Sequence, residues 1–198
     1  FFMGVYLCIV GGADAVYRGT YLWQDEIWKN SIVCKTAGFL SLLSSEVSAF
    51  FICLITLDRF LALRFIFSGF RFSVKSALMV CGLSWTVACV LALVPLLPVT
   101  SHWEFYSQNS ICIPLPITRS SFKGHSYSFG VMIVLNLGIF LLIAVGQLFI
   151  YKSVRENSFN REERSSKDAT IARRLTTIVL SDFLCWFPVG LLGVLAST

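Results

Sequence analysis

Charge is scarce in this chain. Aspartate, glutamate, lysine and arginine make up 14% of its 198 residues, where a soluble domain carries about 25%. Histidine is scarcer still: His102 and His125 stand isolated in one polar stretch, with no cysteine or aspartate arranged around them for metal or nucleophile chemistry, and no two cysteines have zinc-ligand spacing. No catalytic residue, metal or cofactor is therefore assigned. The acceptor pattern Asn-x-Ser/Thr is also missing, so no sugar site marks an outer loop.

What the chain has instead is long apolar runs. It is 56% hydrophobic with a mean hydropathy of +0.76, more than a soluble core can absorb. Four runs are longer than about 18 residues, the length that marks a membrane span: Ile32–Leu57, Ser76–Pro98, Tyr127–Tyr151 and Ile171–Leu195. At ~1.5 Å per residue the first makes about 39 Å of helix, enough to cross a hydrocarbon core of about 30 Å. Phe1–Val16 is apolar from its first residue, too short to cross alone and without a basic flank. It reads as the second half of a helix begun upstream rather than as a signal peptide. The expected fold class is all-α: a transmembrane helical bundle of five spans, one of them partial, filling residues 1–198.

Basic residues orient the bundle. Arg59, Arg64, Arg71 and Lys75 follow the second run, and Lys152, Arg155, Arg161, Arg164, Lys167, Arg173 and Arg174 lie between the last two; Arg18, Lys29, Lys35, Arg119 and Lys123 make up the rest of the sixteen. Eleven against five, by the positive-inside rule, puts the Arg59 side in the cytoplasm. The net charge of +5 then follows from topology and lipid headgroups and calls for no nucleic-acid partner. Cys34 and Cys112 fall together on the opposite, oxidising side, while Cys8, Cys53, Cys81, Cys89 and Cys185 lie within apolar runs. Trp23 and Trp28, beside Asp25 and Glu26 in the outer connection, read as interface-belt residues or as contacts for an outside partner.

Polar groups interrupt the runs, Glu46, Asn136 and Asp182 among them. Asp182 must face the bundle, since a charge at bilayer depth costs about 2.5–3.5 kcal/mol on an insertion scale, and Glu46 and Asn136 read as buried polar residues, Glu46 either in a polar network or bonded to a neighbouring helix. At about 100° per residue, Asp168 and Asp182 differ by a rotation of only about −40°, and Trp186 is one turn further, so all three share a helix face with Asp182 roughly 21 Å deeper than Asp168. Pro188 breaks a backbone hydrogen bond just beyond and marks a kink or hinge.

Read in order, these segments resemble the rhodopsin-like (class A) G-protein-coupled receptors. Asp58-Arg59-Phe60 places its arginine 25 positions after Cys34, Trp85 is followed ten residues later by Pro95, and the last run reads Asp182-Phe183-Leu184-Cys185-Trp186-Phe187-Pro188. Phe60 replaces the usual tyrosine, and Asp182 replaces a usual phenylalanine, which is similar to the leucine-rich-repeat-containing subgroup. Met3-Gly4-Val5-Tyr6-Leu7, Tyr17-Arg18-Gly19, Ser44-Ser45-Glu46-Val47-Ser48 and Ile171-Ala172-Arg173-Arg174 resemble its relaxin-type branch and invertebrate relatives. Gln147, eleven residues after Asn136, stands where related receptors place a tyrosine that supports the active state.

The resemblance implies five of seven helices, from mid helix 2 to helix 6, in a multi-pass receptor of the plasma membrane that is no enzyme. It implies a Cys34–Cys112 disulfide, a heterotrimeric G protein as inner partner, and a peptide or protein hormone received through an ectodomain outside this chain. Arg59 would join Asp58 and Asp168 in a cytoplasmic latch; Asp182, Trp186 and Pro188 would form a switch in helix 6; Arg59, Phe60, Arg64 and Arg173 would face the G protein. Two alternatives stand beside it: a glycoprotein-hormone-type receptor of the same fold, and an ion- or proton-coupled transporter using Glu46 and Asp182. No inverted repeat or broken midplane helix favours the transporter.

Asp182→Ala should alter ligand-independent signalling at equal surface expression, because its carboxylate shares the Trp186 face of a helix that must move. Wild-type basal and stimulated output in that variant would reduce Asp182 to a structural residue.

Overall fold

The computed structural model describes residues 1–64, 73–100, 103, 105–114 and 123–157, with positions 176, 177, 180, 181, 184, 188 and 191. Hydrocarbon offers backbone groups no partner, so a spanning segment satisfies its own N–H and C=O groups as helix. No strand occurs among the described residues.

Helix α1 (Phe2–Tyr17) is capped by Arg18 and followed by Gly19, whose φ of 84° turns the chain through a left-handed conformation open to a residue without Cβ. The short α2 (Tyr21–Asn30) follows, and Ser31 then makes a one-residue corner. Its N–H donates to the Trp28 carbonyl (3.0 Å) and its Oγ accepts the Cys34 N–H (3.1 Å), closing one helix and capping the next. That next helix, α3 (Ile32–Arg64), has 33 residues, about 50 Å at ~1.5 Å per residue. It packs against α1, α4 and α6, with α2 at its Cys34 end. The apolar run predicted at 32–57 measures only the lipid-crossing part, since helix formation continues through Asp58, Arg59 and Phe60.

Helix α4 (Val74–Leu93) tightens into a 3-10 turn over Val94–Leu96. Pro95 explains that ending: it has no N–H to return to the Leu91 carbonyl. The next span runs without a break from α5 (His125–Ser128) through a π-helical stretch (Phe129–Leu135) into α6 (Asn136–Asn157). Sequence periodicity gave no sign of the π stretch. Helices over Ile32–Leu61, Val74–Leu96 and His125–Lys152 are long and apolar enough to cross a membrane. Leu78, Met79 and Leu83 of α4 and Leu137, Leu141 and Leu148 of α6 are exposed, an apolar surface suited to lipid. Of the run at 171–195, Thr176, Thr177, Leu180, Ser181, Leu184, Pro188 and Leu191 are described, and all seven are helical.

Among the described glycines, the closest packing lies near the Cys34 end. A Cβ on Gly38 would stand 2.3 Å from Tyr106 Cδ1 and 2.5 Å from the Cys112 carbonyl oxygen. Neither can give way: the Tyr106 hydroxyl donates to the Ala92 carbonyl, and Cys112 is covalently tied to Cys34. Gly38→Ala should therefore destabilise the protein by about 1–3 kcal/mol. Gly4→Ala, with nothing within 4 Å of the added carbon, should not. Thermal unfolding in detergent checks both, and equal midpoints would refute the close-packing account.

Candidate functional site

Polar side chains gather along α3 at three levels. At its Cys34 end the loop at 105–114 is closed by Asn109, whose Oδ1 accepts the Ile113 N–H (2.9 Å) and whose Nδ2 donates to the Ile113 carbonyl (2.7 Å). This tight loop sets Cys112 at φ 56° and delivers it to Cys34, with the two Cα atoms 5.5 Å apart in a disulfide. Two further donors hold the same loop. Trp28 Nε1 donates to the Ser110 carbonyl (2.7 Å), and the Tyr6 hydroxyl donates to that of Ile111 (2.8 Å). The Trp28 ring, which also packs on Tyr17, is 4% exposed, whereas Trp23 is 88% exposed. The shared belt or contact role expected for the two tryptophans thus fails for Trp28, because the opposite faces of α2 separate them.

On the inward side of α2, Asp25 accepts hydrogen bonds from Tyr21 and Lys29. Burial raises the Asp25 pKa, but the bonds from Lys29 and then Tyr21 outweigh it and leave it below the ordinary value. The Tyr21 hydroxyl is pushed up, first by burial and then by Asp25.

The middle level is a buried carboxylate. Glu46 is 0% exposed; its Oε1 accepts from Asn136 Nδ2 (2.8 Å), and its Oε2 has no hydrogen-bond partner among the described residues. The half-buried Asn136 stands where the π stretch returns to α-helix, and its Nδ2 also donates to the Val131 carbonyl (3.1 Å). One amide thus joins α3 to an acceptor of the π stretch. On the α4 side, the Tyr127 hydroxyl donates to the Leu91 carbonyl (2.8 Å), the acceptor that Pro95 leaves without a donor, and Tyr106 donates to the neighbouring Ala92 carbonyl (2.8 Å).

At the third level Gln147 Nε2 donates to the buried Thr56 Oγ1 (3.2 Å). One turn on, Arg59 Nε lies 4.0 Å from Asp58 Oδ2, both side chains close to half exposed. Such a pair is worth about 0–1 kcal/mol after screening. Phe60, expected to face the G protein, packs its ring against Phe149 of α6 at 5.8 Å, so at least part of that ring belongs to the helix interface.

A disulfide at one end of a long central helix, an Asp-Arg pair at the other and a buried polar bridge between them is a specific arrangement. The pattern described as "7 transmembrane receptor (rhodopsin family)" matches residues 16–198. The chain belongs to this receptor family. The receptor is 40% identical over 194 residues to "G-protein coupled receptor GRL101" of Lymnaea stagnalis, covering 98% of this chain and 17% of that protein. It is 31% identical over 198 residues to human "Relaxin receptor 2" (98% and 26%). It is 28% identical over 198 residues to the "Probable glycoprotein hormone G-protein coupled receptor" of Anthopleura elegantissima (100% and 21%). The chain thus spans about a quarter or less of these relatives' length.

The receptor is a helical transmembrane bundle and a multi-pass membrane protein, related to relaxin receptors, and the family leaves the transporter alternative without support. Of the site residues read from sequence, the structure joins Cys34 to Cys112, Glu46 to Asn136 and Asp58 to Arg59. Pro188 is helical. Asp168, Asp182, Trp186 and Arg173 lie outside the described residues, as does the side chain of Arg64. Sequence reasoning missed Trp28, Tyr106, Tyr127 and Thr56 as polar anchors. Only Pro95 carried a signal, since its missing N–H announces a carbonyl in need of a donor.

Removing one partner of the Glu46–Asn136 bridge leaves a buried acceptor unpaired, at a cost of about 1–3 kcal/mol. Asn136→Leu should therefore lower the unfolding midpoint clearly. Adding Glu46→Leu to it should recover part of the loss, since the unpaired carboxylate is then gone. A double variant less stable than Asn136→Leu alone would show that the bridge is not the source of the effect.

Proposed function

We propose that this chain is the membrane core of a plasma-membrane receptor that carries the signal of an extracellular peptide or protein hormone to heterotrimeric G proteins, with the Arg59 side in the cytoplasm. The observation that carries this reading is the continuity of α3. One unbroken helix, Ile32–Arg64, joins the layer held by Cys34–Cys112 to the solvent-accessible Arg59. A displacement imposed on the loop at 105–114 or on α2 is passed to a stiff rod whose inner end carries the charge a G protein would meet. The relatives named as relaxin and glycoprotein-hormone receptors support a hormone as the outer partner, and identity is higher to human relaxin receptor 2 than to the Anthopleura protein.

In this proposal the cytoplasmic end of the helix at 171–195 swings outward, hinged near Pro188 with Asp182 and Trp186 on its moving face. A groove opens for the C-terminal helix of the G-protein α-subunit, lined by Arg59, Phe60, Arg64 and Arg173. At rest Arg59 bridges Asp58 and Asp168 through paired guanidinium donors. Lipid surrounds the apolar outer faces, and the peptide chemistry of the hormone is met by an ectodomain outside this chain.

The test is basal and hormone-stimulated coupling to a panel of G-protein biosensors in cells expressing the full reading frame. Asp168→Ala should raise basal coupling up to about tenfold, the shift that ~1.4 kcal/mol produces. Arg59→Ala should abolish most coupling at equal surface expression. Wild-type basal coupling in Asp168→Ala at normal surface expression and hormone response would overturn the latch, and absence of coupling to every G protein in the wild type would overturn the receptor reading.

A further inference from the structure

Gln147 uses both ends of its amide between three helices. Its Nε2 donates to Thr56 Oγ1 of α3 (3.2 Å), and its Oε1 accepts from Thr176 Oγ1 (3.5 Å), a helical position of the run at 171–195. Gln147 and Thr56 are both buried. The approach of α3 and α6 is close at this level: a Cβ on Gly146 would meet Thr56 Cγ2 at 2.7 Å, and the Phe60 and Phe149 rings meet at a tilt a turn further on. That closeness brings the Gln147 amide nitrogen to Thr56 while its carbonyl oxygen accepts from Thr176.

We infer that Gln147 is a positioning residue for activation: its amide tethers the helix carrying Thr176 to α3 and sets how often that helix leaves its inner position. The inference rests on the receptor reading but concerns a different contact from the Arg59 latch, one turn deeper and without charge. An amide suits this place because it donates and accepts at once, so two hydroxyl groups on different helices are satisfied by one side chain. The Thr56 bond joins two helices already packed together and persists in both arrangements. The longer Thr176 bond crosses to the helix that moves and is lost when it does. A neutral hydrogen bond biases such an equilibrium by about two- to tenfold without locking it.

The experiment reads helix position directly. A genetically encoded fluorinated phenylalanine in place of Leu180, which is exposed, reports inner and outer populations by ¹⁹F NMR in the purified full-length protein, with G-protein coupling measured separately in cells. Gln147→Leu and Thr176→Val should each raise the outer population about two- to tenfold, and the double variant should add nothing beyond the larger single effect. Populations unchanged in Thr176→Val, or effects in the two variants that multiply, overturn the tether; should Gln147→Leu not fold, Thr176→Val decides alone. A shifted population in a protein that couples to no G protein would uphold the tether and refute the receptor reading.

Discussion

A carbonyl freed inside hydrocarbon has no water to turn to, and the irregular places of this bundle are organised around that constraint. Pro95 withholds a donor from the Leu91 carbonyl, and the Tyr127 hydroxyl of the next span supplies one; Tyr106 does the same for Ala92. The π stretch at Phe129–Leu135 displaces the regular ladder, and Asn136 reaches back to the Val131 carbonyl. The two tyrosine bonds join separate parts of the chain, and the Asn136 amide that reaches Val131 also bonds Glu46 of α3. Departures from regular helix and the contacts that position one span against another are therefore the same features.

The central helix collects these bonds. Its Cys34 end is fixed by a disulfide, by the missing Cβ of Gly38 and by donors from α1 and α2 that grip the loop at 110–112. Its middle buries Glu46 against an amide, and its far end offers Thr56 to Gln147 before Arg59 emerges into a polar setting. Bonding weakens along this line, from a covalent bond through a buried carboxyl–amide bond to a hydroxyl–amide bond and a half-exposed ion pair. A helix anchored rigidly at one end and loosely at the other suits a part that transmits displacement, because the least costly rearrangement lies at the loose end.

Much of the bundle is legible in the sequence. Run length alone locates the spans, since hydrocarbon thickness imposes it. Glu46 was legible as a bundle-facing group because facing lipid would cost too much. Trp28 was not. Trp23 and Trp28 sit in the same short connection with similar neighbours, and only the Ser31 corner and the Ser110 carbonyl decide which one turns inward. Gln147 read as a departure from a pattern, with no sign of what it would bond. The family resemblance points Phe60 toward a G protein, and its contact with Phe149 on α6 has no counterpart in the sequence.

The sequence by itself determined the helical class, the positions of the three membrane-length helices among the described residues, and the placing of a cysteine near one end of α3 with an Asp-Arg pair near the other. These depend on periodicity, run length and charge asymmetry, which are local properties of the chain. Tertiary structure alone decided which polar groups meet: the Tyr6 hydroxyl with the Ile111 carbonyl, Glu46 with Asn136, Thr56 with Gln147, the last pair 91 positions apart. The physical reason is that a polar atom within a membrane bundle takes whatever donor or acceptor the neighbouring helix brings within about 3 Å, and helix packing, with its small residues and freed carbonyls, selects that neighbour.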